Sequence, residues 1–301
     1  MTRGIVGVTV VAVAATLSAA AQQPTFRSSA DEVRVDASVI LNRKTVTGLV
    51  KGDFSLTDNG VQQEIDDVAI ATDPIDLDLL VDTGGELRSM QPVILRDVAS
   101  IQGLLRAGDR SRVVTFDSQF RAGVATGEVV TRGEHGTVLF DAIAAVLMRQ
   151  EEPGRRRVIV VVTAGLDTHS LLSAATRRQI LQRSQPPVYL VAVGQRLTAI
   201  ALGSSTRGAG SADPIQSATF MADDRAPLRE IADTSGGRLF DLQEGDSFLT
   251  PLGTALEESR TRYILHYRPR NVPTTGWHDI AVKVTRPEKY EIRARRGYWR
   301  D

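Results

Sequence analysis

Apolar and polar positions alternate at both ends of the chain and run together in the middle. Near the start, Val33, Val35, Ala37, Val39 and Leu41 alternate with polar neighbours, the period of a half-buried strand. Asn59-Gly60 then sits between two further short runs, a strong hairpin signal. From Ile75 the pattern changes: IDLDLLVD is a continuous apolar run of the buried parallel type. Val93, Ile94, Val98, Ile101, Leu104 and Leu105 fall on one face of a helix from about Met90 to Leu105, stopped by Gly108-Asp109. SRVVTFDS predicts a strand, TVLFDAIAAVLM a helix over Thr137 to Met148, and RRRVIVVVTAG a core strand. A helix from Asp167-Thr168 to about Ser184 follows, with Asp167 as its N-cap, and then the strand PPVYLVAVG. APLREIADTSGGRLFDL reads as a helix ended by Gly236-Gly237 and leading into a strand. A last helix, about Ser247 to Arg260, precedes YILHYRP, WHDIAVKVT and YEIRARRGYW, whose alternation predicts a meander.

Strands alternating with helices at this spacing predict an α/β fold with a doubly wound, mostly parallel, Rossmann-like sheet over residues 73–260. Residues 195–222 lose periodicity and gather Gly, Ser and Ala, so they are expected to form a flexible loop. The segments 22–72 and 261–301 are β-rich. Neither buries an apolar face alone, so residues 31–72 and 261–301 are expected to pack together as an antiparallel β module.

Composition narrows the function. Thirty-six basic and thirty-six acidic residues cancel, which argues against nucleic acid as a partner. The Arg clusters at 155–157 and at Arg293, Arg295 and Arg296 read as solvated surface. Residues 1–21 have the form of a signal peptide: Arg3, an apolar stretch from Ile5 to Leu17, and a small-residue Ala19-Ala20-Ala21 cleavage site. An uncleaved anchor is the alternative; no integral span is expected after cleavage. The chain has no cysteine, hence no disulfide and no thiolate site. A periplasmic or extracellular protein is expected.

The candidate chemistry centres on LDLLVDTGGELRSM, where a buried strand ends in Asp82 and a Gly-Gly turn. Open α/β sheets bind ligands at such carboxyl ends. His135 precedes Thr137 on one predicted loop, so a hydrolytic Thr137–His135–Asp82 array is conceivable. No G-x-S-x-G, H-E-x-x-H, P-loop or G-x-G-x-x-G pattern occurs. Asp53, Asp58 and Asn59 read as turn residues.

The order of strand, Asp-x-Gly-Gly-x turn, Thr-led helix and VIVVVTAGLD resembles a von Willebrand factor type A domain. More narrowly, VRVDASVI, VTGLVKGDFSLTDNG, RYILHYRP and IRARRGYW resemble the secreted VWFA-related proteins abundant in acidobacteria. Such domains bind proteins through a metal-ion-dependent adhesion site with a D-x-S-x-S loop, a Thr on a second loop and an Asp in a T-D-G turn. The resemblance places these positions at Asp82, Gly84, Glu86, Thr137 and Ala164. Asp82 and Thr137 are retained; Gly84, Glu86 and Ala164 are not the family's ligands, so the site is degenerate. With a thin ligand shell, Asp82 is expected to accept bonds from Thr137 and from the turn amides of Gly84 and Gly85.

The expected function is an exported, non-enzymatic protein-interaction or adhesion module. It would bind an unidentified protein through the loops carrying Asp82, Thr83, Gly84, Gly85, Glu86, Thr137, Ala164 and Asp167, without a cofactor. Two alternatives stand beside it: a Mg²⁺- or Mn²⁺-dependent module using Asp82, Glu86 and Thr137 as ligands, and the Thr137/His135 hydrolase.

Overall fold

The computed structural model describes residues 32–124, 136–194 and 225–301. The signal-peptide segment 1–21, the 195–222 loop and His135 lie outside the described residues. In chain order the first strands are β1 (Val33–Leu41), β2 (Lys44–Thr45), β3 (Phe54–Asp58), β4 (Val61–Gln63) and β5 (Ile65–Ile70). The middle of the chain supplies β6 (Ile75–Asp82), β7 (Arg110–Phe116), β8 (Phe120–Val124), β9 (Arg156–Thr163), β10 (Val188–Val193) and β11 (Leu239–Leu242). The last strands are β12 (Tyr263–Tyr267), β13 (Gly276–Val284), β14 (Glu291–Ala294) and β15 (Gly297–Arg300). The helices are α1 (Gln91–Ser100), α2 (Leu139–Leu147), α3 (Ala174–Arg183), α4 (Ala226–Ser235) and α5 (Leu249–Arg260).

The central sheet runs β11-β10-β9-β6-β7-β8, parallel except for the antiparallel edge strand β8. This is the doubly wound α/β sheet that the alternation of strands and helices predicts. Strands β9 and β10 are buried at every position, because helices cover both faces. Side-chain alternation divides the strands between two cores. Leu77, Leu79 and Val81 point toward α1 and α5, packing with Ile94, Val98, Leu252 and Leu256. Leu80, Ile159 and Val161 point the other way, toward Ile143 of α2, Leu181 of α3 and Leu228 of α4. Asp82 shares the parity of Leu80, so its side chain belongs to the second face. Helix α3 is shorter than predicted. It starts at Ala174, with the Ser173 hydroxyl accepting from the Thr176 N–H at 3.1 Å, because Asp167 is engaged elsewhere.

The two chain ends form the additional antiparallel β module. Strand β1 lies between β12 and β14, with β5 beyond β12; a second sheet runs β15-β13-β3-β4. Their inner faces share Val35, Val39, Leu56, Tyr263, Tyr267 and Ile280. Asn59 and Gly60 have φ of 47° and 78° and join β3 to β4, the two-residue hairpin turn their identity predicts. The expected C-terminal meander is not formed: β12 and β14 join the first sheet, β13 and β15 the second. The chain changes sheets at Arg295-Arg296, which lets both sheets close over one core. Asp58 is likewise no turn residue. It is fully buried and accepts from Tyr267 Oη at 2.8 Å and Tyr298 Oη at 3.0 Å, with His278 Nδ1 at 2.8 Å.

Of the six arginines read as solvated surface, Arg156, Arg157 and Arg295 are buried and Arg296 is exposed. Arg156 and Arg295 help to fasten the module to the lower end of the central sheet, where β9 begins. Arg156 donates to Ser259 O and lies 3.3 Å from the Asp36 carboxylate on β1. Arg157 donates to Val146 O and Arg149 O at the end of α2 and to Asp78 at 2.8 Å. Arg262 donates to Gly236 O and Tyr189 Oη, and Arg295 to Gln182 O and Gln185 Oε1. A guanidinium is tolerated inside when carboxylates and free helix-end carbonyls take up its donors, which composition cannot reveal. The opposite end of the sheet, where β6 and β9 finish, is left clear of the module.

Candidate functional site

At that upper end, register alone brings two side chains together. Val81 on β6 pairs with Val162 on β9, so Asp82 and Thr163 fall side by side with the same parity. Both are buried. Thr163 Oγ1 donates to Asp82 Oδ2 at 2.8 Å and accepts from the Gly165 N–H at 2.9 Å. Asp82 Oδ1 accepts from the Gly84 N–H at 2.9 Å. A carboxylate taken out of water thus meets donors on two loops. Thr83 is turned away: its N–H and hydroxyl both donate to Phe116 O, at 2.7 and 3.1 Å, stitching the loop after β6 to the end of β7. Gly85 opens a short 3-10 segment, Gly85–Met90, that leads into α1 and includes Glu86.

The second loop is held as firmly. The carbonyl of Thr137 accepts from the N–H groups of Thr168 and His169, both at 3.0 Å. Its N–H donates to Thr168 Oγ1 at 3.0 Å. Gly136 at φ +101° is required here, because a Cβ would lie 2.3 Å from the His169 ring. The Thr137 hydroxyl, however, is buried without a hydrogen-bond partner. It does not donate to Asp82 as expected: Thr163, one strand end away, takes that place. Nor does it contact any base among the described residues, as an activated nucleophile would require.

Asp167, expected to cap the helix that follows it, instead serves α2. Its Oδ1 accepts from Ser170 Oγ at 2.5 Å and from the Phe140 N–H at 3.4 Å in the first turn of α2. Asp141 reciprocates, accepting from the N–H groups of Leu171 and Leu172 at 2.8 and 3.1 Å. The 164–172 loop and the start of α2 are therefore one hydrogen-bonded unit. Ala164 is fixed from beneath by the buried Arg225, which donates to Ala164 O at 2.9 Å and Gly194 O at 3.4 Å. Leu171 projects from this unit with 93% exposure.

The residues brought together are therefore Asp82, Gly84, Thr163 and Gly165, with Thr137 tied to the 168–169 segment. Thr163 and Arg225 were not singled out from the sequence. The register signal for Thr163 was present, since it ends its strand in the same phase as Asp82; nothing marks Arg225. As a cation site the donor set is short. Neither Ala164 nor Gly84 supplies a side-chain oxygen, and the Gly84 N–H is already directed at Asp82. Among the described residues no three His, Cys, Asp or Glu side chains converge. The Thr137 hydroxyl oxygen, buried and unpartnered, is a fitting donor.

The molecule is thus a doubly wound α/β domain braced below by a β module and carrying a locked carboxylate–hydroxyl pair at the upper strand ends. No protein-family model matches the sequence, and no curated protein does. Solved structures to which it is similar include the conserved hypothetical protein BatB from Bacteroides thetaiotaomicron, at 13% identity and TM-score 0.38, covering 62% of this chain and 98% of that one. A von Willebrand factor type A protein from Catenulispora acidiphila matches at 11% identity and TM-score 0.41, over 83% of this chain and 74% of that one. The ArnB paralog VWA2 from Sulfolobus acidocaldarius matches at 10% identity and TM-score 0.41, over 90% and 76%. Among the described residues no helix is long and apolar enough to cross a membrane.

Proposed function

We propose that this chain is an exported, non-enzymatic adhesion or protein-interaction module that binds a protein partner through the upper loops without metal. The observation that carries the reading is the rigid 164–172 unit, tied to α2 through Asp141 and Asp167, with Leu171 fully displayed on it. A preorganised polar loop with one projecting apolar side chain has the form of an interface anchor. The sequence resemblance to von Willebrand factor type A domains points to the same face. Asp82 supports the metal-free form of the reading, since its oxygens already accept from Gly84 and Thr163.

Affinity capture from an envelope extract tests this, comparing the wild-type chain with Leu171→Asp. The substitution is expected to leave stability within about 0.5 kcal/mol, as at other exposed sites, while the captured partner is lost. Capture of the same partner by both proteins overturns the assignment of the face, and a partner released by EDTA overturns its metal-free form.

A second reading is favoured by one observation, the buried unpartnered hydroxyl of Thr137. It makes the site a Mg²⁺- or Mn²⁺-dependent adhesion module, with Asp82 and Thr137 as protein ligands, Glu86 as the third candidate, and water completing the shell. That reading requires thermal stabilisation by either ion that disappears in Asp82→Ala.

A further inference from the structure

Helix α3 is poorly matched to its neighbours. Of its ten residues, AATRRQILQR, only Leu181 is buried, whereas six of the nine in α2 are. Helix α2 therefore presents more apolar surface than α3 covers. Between α2, α3 and α4 this leaves a cleft of about 70 Å³, walled by Phe140, Ile143, Ala144 and Leu147 on α2 and Ile231 on α4. Ala144 on α2 and Ala174 on α3 also line it, and their small side chains leave it open. At its mouth the guanidinium of Arg177 lies 3.9 Å from the centre of the Phe140 ring. Its neighbour Arg178 is paired with Glu230 at 3.1 Å. Two guanidiniums thus face one carboxylate, and among the described residues Arg177 has its ring contact but no acidic partner.

We propose that this cleft binds a small aliphatic monocarboxylate, with its carboxylate on Arg177 and its alkyl end against Ala144 and Ile231. Size limits the tail: apolar cavities of about 150 Å³ accept benzene with its six carbons, so about half that volume suits an alkyl tail of roughly three carbons. Charge sets the head group, because a planar guanidinium presents two parallel donors to a carboxylate and repels an amine. The site lies along the α2–α3–α4 face and shares no side chain with the Asp82–Thr163 pair.

Isothermal titration and methyl NMR of the whole chain with butanoate test the proposal. The expected result is saturable millimolar binding that shifts the Ile143, Leu147 and Ile231 methyl signals. Arg177→Gln, or replacing the acid by neutral butanamide, should weaken it about tenfold, the loss of one charge-assisted pair. Ala144→Leu should fill the cleft and abolish binding; Ala174→Leu, on the exposed α3 side, makes the same test if the first variant fails to fold. No saturable binding, equal binding of acid and amide, or shifts confined to other methyl groups would overturn the site.

Discussion

Replacing Thr163 by Val tests whether the pair at the top of the sheet is a structural lock. Valine keeps the shape and β-branching of threonine, so packing is nearly conserved and the hydroxyl alone is removed. That hydroxyl is fully buried and makes two bonds, one to the Asp82 carboxylate at 2.8 Å and one from the Gly165 N–H at 2.9 Å. A hydrogen bond to a charged group contributes about 1.5–3 kcal/mol, and a stranded amide costs about 1–3 kcal/mol. Gly165 is only partly buried, which places its share at the lower end. The expected loss is about 3 kcal/mol, or about 1 M in the urea midpoint at a slope near 3 kcal/mol/M. Thr163→Ser keeps both bonds and gives up a methyl, a loss of about 1 kcal/mol. Urea unfolding followed by circular dichroism measures each variant. A cycle with Asp82→Asn should give a coupling energy above about 1 kcal/mol, since the partners are in direct contact. If Thr163→Val unfolds within about 0.5 kcal/mol of wild type, or shows no coupling to Asp82, the carboxylate is satisfied by other means and the lock is refuted.

Two other perturbations probe the frame beneath the site. Burial opposes ionisation of Asp109, but the N–H groups of Ile75 and Arg106 and the Arg260 guanidinium outweigh it and hold its carboxyl below the usual range. Its contribution is therefore present above the unfolded value near 3.9 and lost as pH falls through the lower folded value; urea titrations across about pH 2–6 should show a shallower acid limb in Asp109→Asn. Gly297→Ala would place a Cβ 2.1 Å from His278 O and 2.4 Å from the Trp277 ring, so β15 must separate from β13, a loss of about 2–3 kcal/mol by thermal or urea unfolding. Gly52→Ala, which meets nothing within 4 Å, is the control and should stay within about 0.5 kcal/mol.

What was legible in the sequence divides along a physical line. Continuous apolar runs such as VIVVV and VYLVAV announce buried strands, because five- or six-residue stretches with no polar face suit a strand covered on both sides. Asn59-Gly60 fixes a hairpin because both residues adopt positive φ at little cost. Asp82 was placed correctly at a strand end for the same reason. The misreadings involve polar residues whose partners are distant in sequence. Arg157 looks like surface until Asp78, 79 positions away, is known to lie against it. Asp58 looks like a turn residue until His278 and Tyr298 close over it from β13 and β15. Asp167 looks like the cap of the helix after it, yet it serves the one before, because the intervening loop folds back onto α2. Local propensity cannot choose between such partners; only the sheet register does.

The same division bears on how the upper site works. Here the loops are tied directly. Thr163 bonds to Asp82, Asp167 and Asp141 bond to backbone N–H groups across the loop–helix boundary, and Arg225 holds the Ala164 carbonyl. Each of these bonds fixes a loop to a neighbouring strand end or helix, so the upper loops are held by the chain's own side chains. The buried arginines at the lower end have a matching consequence. With Arg156, Arg262 and Arg295 fastening the β module to the lower end of the sheet and its helices, the upper loops carry none of that load. A face so freed can change exposed side chains such as Leu171 without unfolding the sheet.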